Sequence, residues 1–401
     1  MCAISSLNLA YGHESTLEES IGHYHSALSA RTAQDDLLSD GVFLRHFLLL
    51  LYDSCMPMSD DTNLWAGHLR QLERIALQRH RQLGREPLGY IIWRVCELDT
   101  YACLMGNGTC EFVRHVLTNN MLPPLDQQIP VVNPAIPHAP NEVAVFPAIL
   151  SLRRNVLIYT AKLAQLAQTL RDEVVSRPAL SPGALARRQA AISQAQTELD
   201  NAWVQAYPDF LPPESPEAGR SLPPRVRYVF EQVGTPSCTV LSLSNLANKT
   251  FLPQALILYQ AATIYSRTSM IPHQQRRLSP SNTPSSPSDP TQPDTERRVL
   301  VILAIASSSL ESRHLGARHL IFPLFIAGCA TLQADAKIKV LELINAFESS
   351  GIGRNTARTR ALLKAVYEEQ RRAYDAGGRM GDVDWLAVGR DRDLNVVDCG
   401  L

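Results

Sequence analysis

The chain is short of everything that marks a catalyst, a DNA reader or a membrane protein. No Cys-x-x-Cys pair occurs although eight cysteines are present, and none lies in a disulfide-like framework. Scattered through apolar helical patterns, they read as reduced, buried thiols. Cys96, Cys103 and Cys110 recur every seven residues, but seven residues of helix span about 10.5 Å, whereas thiolates sharing a zinc each sit roughly 2.3 Å from it. Cys96 and Cys103 therefore cannot share a metal while helical. There is no Gly-x-Ser-x-Gly elbow, His-Glu-x-x-His helix or Walker loop, so no nucleophile, zinc hydrolase or phosphate cradle is marked. Gly106-Asn107-Gly108 and Gly351-Ile352-Gly353 each follow a helical pattern rather than a strand and read as caps.

Charge of one sign is also missing. The 38 basic and 39 acidic residues leave a formal net charge of -1, so no global field favours nucleic acid or an acidic membrane. Arg153-Arg154, Arg187-Arg188 and Arg371-Arg372 are pairs, well short of the basic runs of roughly five to eight that suggest a nucleic-acid patch. Direct nucleic acid binding is not expected. Met1 to Ser5 lacks a basic segment and a long apolar one, so no secretory signal is visible and an intracellular protein is expected. The apolar block Leu320 to Cys329 carries no charge but falls short of the roughly 20 residues that span a bilayer. It belongs in a core, and no membrane partner is expected.

What is present is helical periodicity, with 45% hydrophobic residues to bury. Ser15-Thr16-Leu17-Glu18-Glu19 carries overlapping capping boxes before a stripe at Leu17, Ile21, Tyr24 and Leu28. From Val42 to Tyr52 nearly every residue is apolar apart from Arg45 and His46, which predicts a helix covered on most sides. A loop from Met56 to Asn63 leads to a helix with Leu69, Leu72 and Ile75 or Ala76 inward and Arg79 at its exit. His68 lacks a second histidine one turn on and reads as a hydrogen-bonded helix residue. Residues 88 to 105 predict a helix with Ile91, Ile92, Val95, Leu98 and Ala102 inward, and Thr109 is placed to cap the short helix from Glu111 to Leu117.

Seven prolines between Met121 and Pro147 predict a connector. A helical hairpin follows, striped by Val156, Tyr159, Leu163, Leu166 and Leu170 and by Leu185, Ile192 and Leu199. It has too few heptads for a dimerising coiled coil, so an intramolecular pair is expected. Phe251 to Met270 reads as a buried helix. The tract Gln274 to Arg298 is dense in serine and proline and reads as disordered, with Ser279, Thr283 and Ser286 before prolines as candidate phosphorylation sites. Order resumes at Val299. Beyond the block at 320–329, Val340, Ile344 and Phe347 stripe one helix, and Asn355 caps another with Leu362, Leu363, Val366 and Tyr367 inward, ending at Gly377-Gly378.

Four of these stretches carry a resemblance. Pro323-Leu324-Phe325-Ile326-Ala327-Gly328, two following helices and the tail Asp384-Trp385 resemble the C-terminal signature of the regulatory domain of fungal zinc binuclear-cluster transcription factors. Trp65-x-x-His68-Leu69 after a leucine-rich helix, then Asp99 with Gly106, Gly108-Thr109 and Glu111-Phe112-Val113-Arg114, are similar to the same family, as is the buried helix at 251–270. The resemblance runs from about Ala3 to Trp385. The cluster of cysteines that reads DNA in that family is missing.

The expectation is therefore an all-α domain of stacked antiparallel helix pairs, with residues 1–270 and 299–401 as parts of one body and 271–298 as a disordered insertion. The resemblance implies a nuclear transcription regulator represented by its effector region, partnered by co-regulators or a second copy. It implies no cofactor in this chain, with zinc only if a cysteine cluster lies upstream. An apolar cavity for a small effector or a partner helix is placed among the helices, with those bearing Phe43, Phe47 and Leu51 and those bearing Leu258, Tyr259 and Tyr265 as its walls. Two other classes compete. An isoprenoid-type enzyme would use Asp35-Asp36 with Asp40, or Asp60-Asp61, to hold magnesium diphosphate; a plain scaffold would form oligomers and bind no small ligand.

Overall fold

In the computed structural model, residues 3, 6, 17–29, 37–55, 63–84, 86–124, 140–176, 181–206, 252–270, 292–311, 319–348, 355–394 and 396 are described. Among them are thirteen α-helices and no strand: α1 (Leu17–Ser29), α2 (Asp40–Cys55), α3 (Asn63–Leu83), α4 (Gly89–Leu104), α5 (Glu111–Thr118), α6 (Pro140–Ser176), α7 (Pro182–Ala206), α8 (Leu252–Thr268), α9 (Gln292–Glu311), α10 (Ile321–Ala330), α11 (Ala334–Glu348), α12 (Asn355–Asp375) and α13 (Trp385–Asp391). The fold is all-α, as the periodicities predict.

Neighbours in the chain pair first. α1 rests on α2, α2 on α3, and α3 on α4 and α5; α6 and α7 form the expected hairpin within the molecule. α8 then lies across both hairpin helices and joins them to α9 and α10, while α10, α11 and α12 pack mutually and α13 closes on α12. One hydrophobic cluster, from Leu37 to Val396, runs through every helix from α2 to α13. Polar side chains stitch sequence-distant parts along its edge. The Asn355 amide donates to the Ser54 carbonyl, Asn107 Nδ2 donates to the Val396 carbonyl at 2.6 Å, and Trp385 Nε1 donates to Ser269 Oγ at 3.0 Å.

α10 is the element the later half is built on. Every residue from Ile321 to Gly328 is buried, and Pro323 falls in the first turn, where a missing amide leaves no bond unmade. Gly328 permits the close approach of α12: a Cβ there would lie 2.8 Å from the Tyr367 hydroxyl and 3.0 Å from both Leu363 methyls. Trp385 meets Phe325 edge to face at 5.0 Å, and Asp384 caps α13 by accepting from Leu386 N at 2.9 Å. At the end of α12, Gly377 takes φ +78 and Gly378 N returns to the Ala373 carbonyl, the glycine stop expected there.

Several expectations are corrected. α6 begins at Pro140, inside the proline-rich connector; proline suits the first helical position, and Pro147 is carried within the helix with the loss of one backbone bond. Helix α9 begins at Gln292 rather than Val299. Its polar first turns are held by partners that composition does not reveal: Asp294 binds Arg267 and Arg298, and Glu296 accepts from Thr331 Oγ1 and Leu332 N, both at 2.7 Å. Thr109 does not cap α5. Cys110, at φ 55, occupies the N-cap, and the carboxylate of Asp99 on α4 accepts from Val113 N at 3.0 Å instead. Asn355 is the first residue of α12 rather than its cap, and its side-chain amide donates to the Ser54 carbonyl. Leu28 is 40% exposed at the end of α1, outside the cover of α2. The capping boxes at Ser15 and Thr16, and residues 271–291, lie outside the described residues.

Candidate functional site

The six residues placed as cavity walls are in two separate packing neighbourhoods. Phe43 is fully buried beneath the Arg79 guanidinium, 5.2 Å from its ring centre. Phe47 meets Tyr90 edge to face at 6.4 Å, and Leu51 packs half-buried against the core. On α8, Tyr259 stacks on Trp203 at 4.6 Å and 14°, and its hydroxyl donates to Asp200 at 2.6 Å. Tyr265 is fully buried; its hydroxyl donates to the Leu104 carbonyl and accepts from Arg171, each at 3.1 Å. Leu258 is buried beside them. α2 packs chiefly on α1 and α3, and α8 chiefly on α6, α7, α9 and α10. Ser279, Thr283 and Ser286 lie outside the described residues, as do Asp35, Asp36, Asp60 and Asp61. Asp40 is within them, and it holds Arg79 at 2.6 Å.

Arg79 is the residue the sequence reading misplaced. It is fully buried, with Nε and Nη2 donating to Glu86 at 2.8 and 2.9 Å, Nη2 also reaching Asp40, and Nη1 donating to the Leu38 carbonyl. Burial alone would lower its pKa, but Glu86 and Asp40 raise it, so the guanidinium is charged and locks α2, α3 and the turn before α4 together. A second buried pair serves α4. Burial would raise Glu97, yet Arg153, His319 and Arg94 hold it at about 2. Asp99 goes the other way, pushed up by burial to about 7 against the amides of Val113 and Phe112. Its carboxyl positions α5, which accounts for an aspartate on an otherwise buried helix.

A third polar group lies where α1, α2 and α3 meet. Tyr24 stacks on Tyr52 at 4.5 Å and 16°. The Tyr24 hydroxyl is 3.2 Å from His68 Nε2, and Asp53 Oδ2 is 3.3 Å from the same nitrogen. Burial raises Asp53 to about 6 and lowers His68 to about 4. His46 is also lowered to about 4, by burial and then by Arg45 and His68. At neutral pH this places an ionised carboxylate beside a neutral imidazole. Sequence reading assigned His68 a hydrogen-bonding role but not its partners, which come from two other helices.

The Cys103 and Cys110 thiols lie within hydrogen-bonding reach of each other. Cys103 Sγ contacts the Ala164 carbonyl at 3.3 Å and Cys110 Sγ the Asp99 carbonyl at 4.0 Å. Cys96, Cys103 and Cys110 are free and buried, and among the described residues no group of three or more His, Cys, Asp or Glu side chains could hold a metal ion.

On the outer side, a groove of about 600 Å³ runs along α3 beside the start of α5, lined by Arg70, Glu73, Arg74, Leu77, Gln78, Arg81, Gln82 and Glu111. α3 is amphipathic: Leu72, Ile75, Ala76 and Arg79 face in, and Arg70, Arg74 and Arg81 are exposed on the opposite side. Glu73 lies against His115, and Glu111 is paired with Arg114 at 3.5 Å.

These features define an all-helical body whose polar clusters fasten its helices and whose open groove is charged. The model of the fungal specific transcription factor domain matches residues 1–397, and the chain belongs to that family. No curated protein and no solved structure matches it. Membership implies a transcription-regulatory role in a family that is generally non-catalytic, and suggests the nucleus. Among the described residues no helix is long and apolar enough to cross a membrane.

Proposed function

We propose that the chain is the effector region of a transcription regulator and that it acts through contacts with protein partners. The observation supporting a protein partner over a small apolar effector is the occupancy of the expected walls. Phe43 is covered by Arg79, Tyr259 by Trp203, and Tyr265 is bonded to Leu104 and Arg171. With these rings engaged by the chain itself, the surface is where a signal is received or passed on. Co-regulators are the favoured partners; a second copy is disfavoured as a coiled coil, because the α6–α7 stripes are spent on each other.

Fusing the chain to an unrelated DNA-binding domain tests this in a reporter strain. A change in reporter output relative to the DNA-binding domain alone is expected, with no metal-dependent turnover of prenyl diphosphates by the purified protein. An unchanged reporter from a fusion that is folded and present in the nucleus, or such turnover, contradicts the proposal.

A further inference from the structure

We infer that the α3 groove is a docking site for an acidic amphipathic helix of a partner protein, an assignment that rests on the partner-binding role proposed above and gives it a place. Arg70, Arg74, Leu77 and Arg81 stand at i, i+4, i+7 and i+11 of α3, so they fall on one helical face over about 16 Å. Leu77 therefore sits between arginines, half-buried and in the groove floor.

Charge decides the occupant. Arg70, Arg74 and Arg81 are exposed and none is paired with a carboxylate among the described residues; Arg70 donates only to the Ala66 carbonyl at 3.3 Å. Two carboxylates also line the groove: Glu111 is paired with Arg114, and Glu73 lies against His115, whose ring cancels charge only when protonated. The groove thus presents three exposed arginines, none ion-paired among the described residues, around one apolar position, and they outnumber the two carboxylates in its lining. Its complement is a helix with acidic residues a turn apart and a leucine or phenylalanine between them, docked by its apolar face. A nucleic-acid backbone fits less well, because the centre of the stripe is Leu77, which an apolar side chain of a docked helix can cover and a phosphate backbone cannot.

The probe is a fluorescein-labelled, helix-forming peptide with Glu at i, i+4 and i+11 and Leu at i+7, titrated with the full chain by anisotropy at low salt. Binding is expected, weakening with added salt. The Arg70→Glu/Arg74→Glu double variant should lose about tenfold or more in affinity while its far-ultraviolet spectrum and melting temperature stay unchanged. Replacing the facing Glu residues of the peptide by Lys should restore binding to that variant and not to the wild type. Absence of binding by wild type, an unchanged affinity in the double variant, failure of the charge swap, or tighter binding of a labelled DNA duplex each overturns the assignment. Those results would leave the reporter assay standing, so loss of this site and loss of the regulatory role are separate outcomes.

Discussion

α10 and α3 bury comparable apolar rows in opposite ways. α10 is covered on all sides and has no polar side chain to place, so its position is set by shape: Gly328 lets α12 approach, and Phe325 receives Trp385. α3 lies at the edge, with one side in the core and the other in solvent. Its inner row ends in an arginine that fastens three segments, and its outer row carries charges that nothing in the described fold uses. Fit alone suffices for α10. At the boundary α3 needs directional bonds, and there it has a face left for another molecule.

The sharpest way to break that comparison is Arg79→Met. It strands Glu86, which is itself buried, so a loss of about 3–5 kcal/mol in unfolding free energy is expected. Arg79→Met/Glu86→Leu should recover most of it. Denaturant unfolding measures both, and a single variant within error of wild type would remove the clamp from the account. Gly328→Ala is next. The added methyl meets Tyr367 and Leu363, and overpacking should lose about 1–3 kcal/mol. Tyr367→Phe in the same chain takes away the nearest atom and should return part of the loss; an additive or worse double variant would mean that the hydroxyl is not what Gly328 makes room for.

Asp53→Asn probes the polar junction with a pH signature. Asp53 is raised in the folded state from 3.8 to about 6, so the folded protein holds this proton more tightly, and ionisation lowers stability as pH rises through that window. His68 and His46 are lowered from 6.5 to about 4; their contribution is present above 6.5 and is lost as pH falls through 4. The two effects oppose each other between pH 4 and 6. The variant should gain roughly 1–2 kcal/mol at pH 7.5 and lose stability more steeply than wild type on acidification from pH 6.5 to 4. Parallel pH profiles of the two proteins would show that Asp53 is not buried as an ion. The smallest effect is expected from Arg74→Ala, within about 0.5 kcal/mol, since its exposed side chain holds no carboxylate in the described fold.

Both helices were legible as elements, and for α10 the burial was legible too. An uncharged row such as Leu320 to Cys329 can only be interior, so burial followed from composition. Arg79 continues the spacing of Leu72, Ile75 and Ala76, and that spacing was the available sign that it points inward. What it meets, Glu86 and Asp40, is fixed by tertiary placement. Asp99 was likewise visible as an acid within a buried helix, while its target, the first amides of α5, was not. Polar residues mislead in the same way at Gln292 to Arg298, where composition resembles a linker and cross-helix ion pairs make a helix. Of the six residues given as walls, five are buried and Leu51 is half-buried; that α2 and α8 face different neighbours is a matter of topology, which periodicity does not carry. The groove is legible only as a stripe of arginines, because what makes it a groove is α5 lying alongside.

The most direct measurement pairs reporter output with thermal stability for the Arg70→Glu/Arg74→Glu chain fused to an unrelated DNA-binding domain. An unchanged melting temperature with reporter output returned towards that of the DNA-binding domain alone is the predicted result. Wild-type output from an equally stable, equally abundant variant would contradict the claim that this outer face, rather than the enclosed core, carries the regulatory contact.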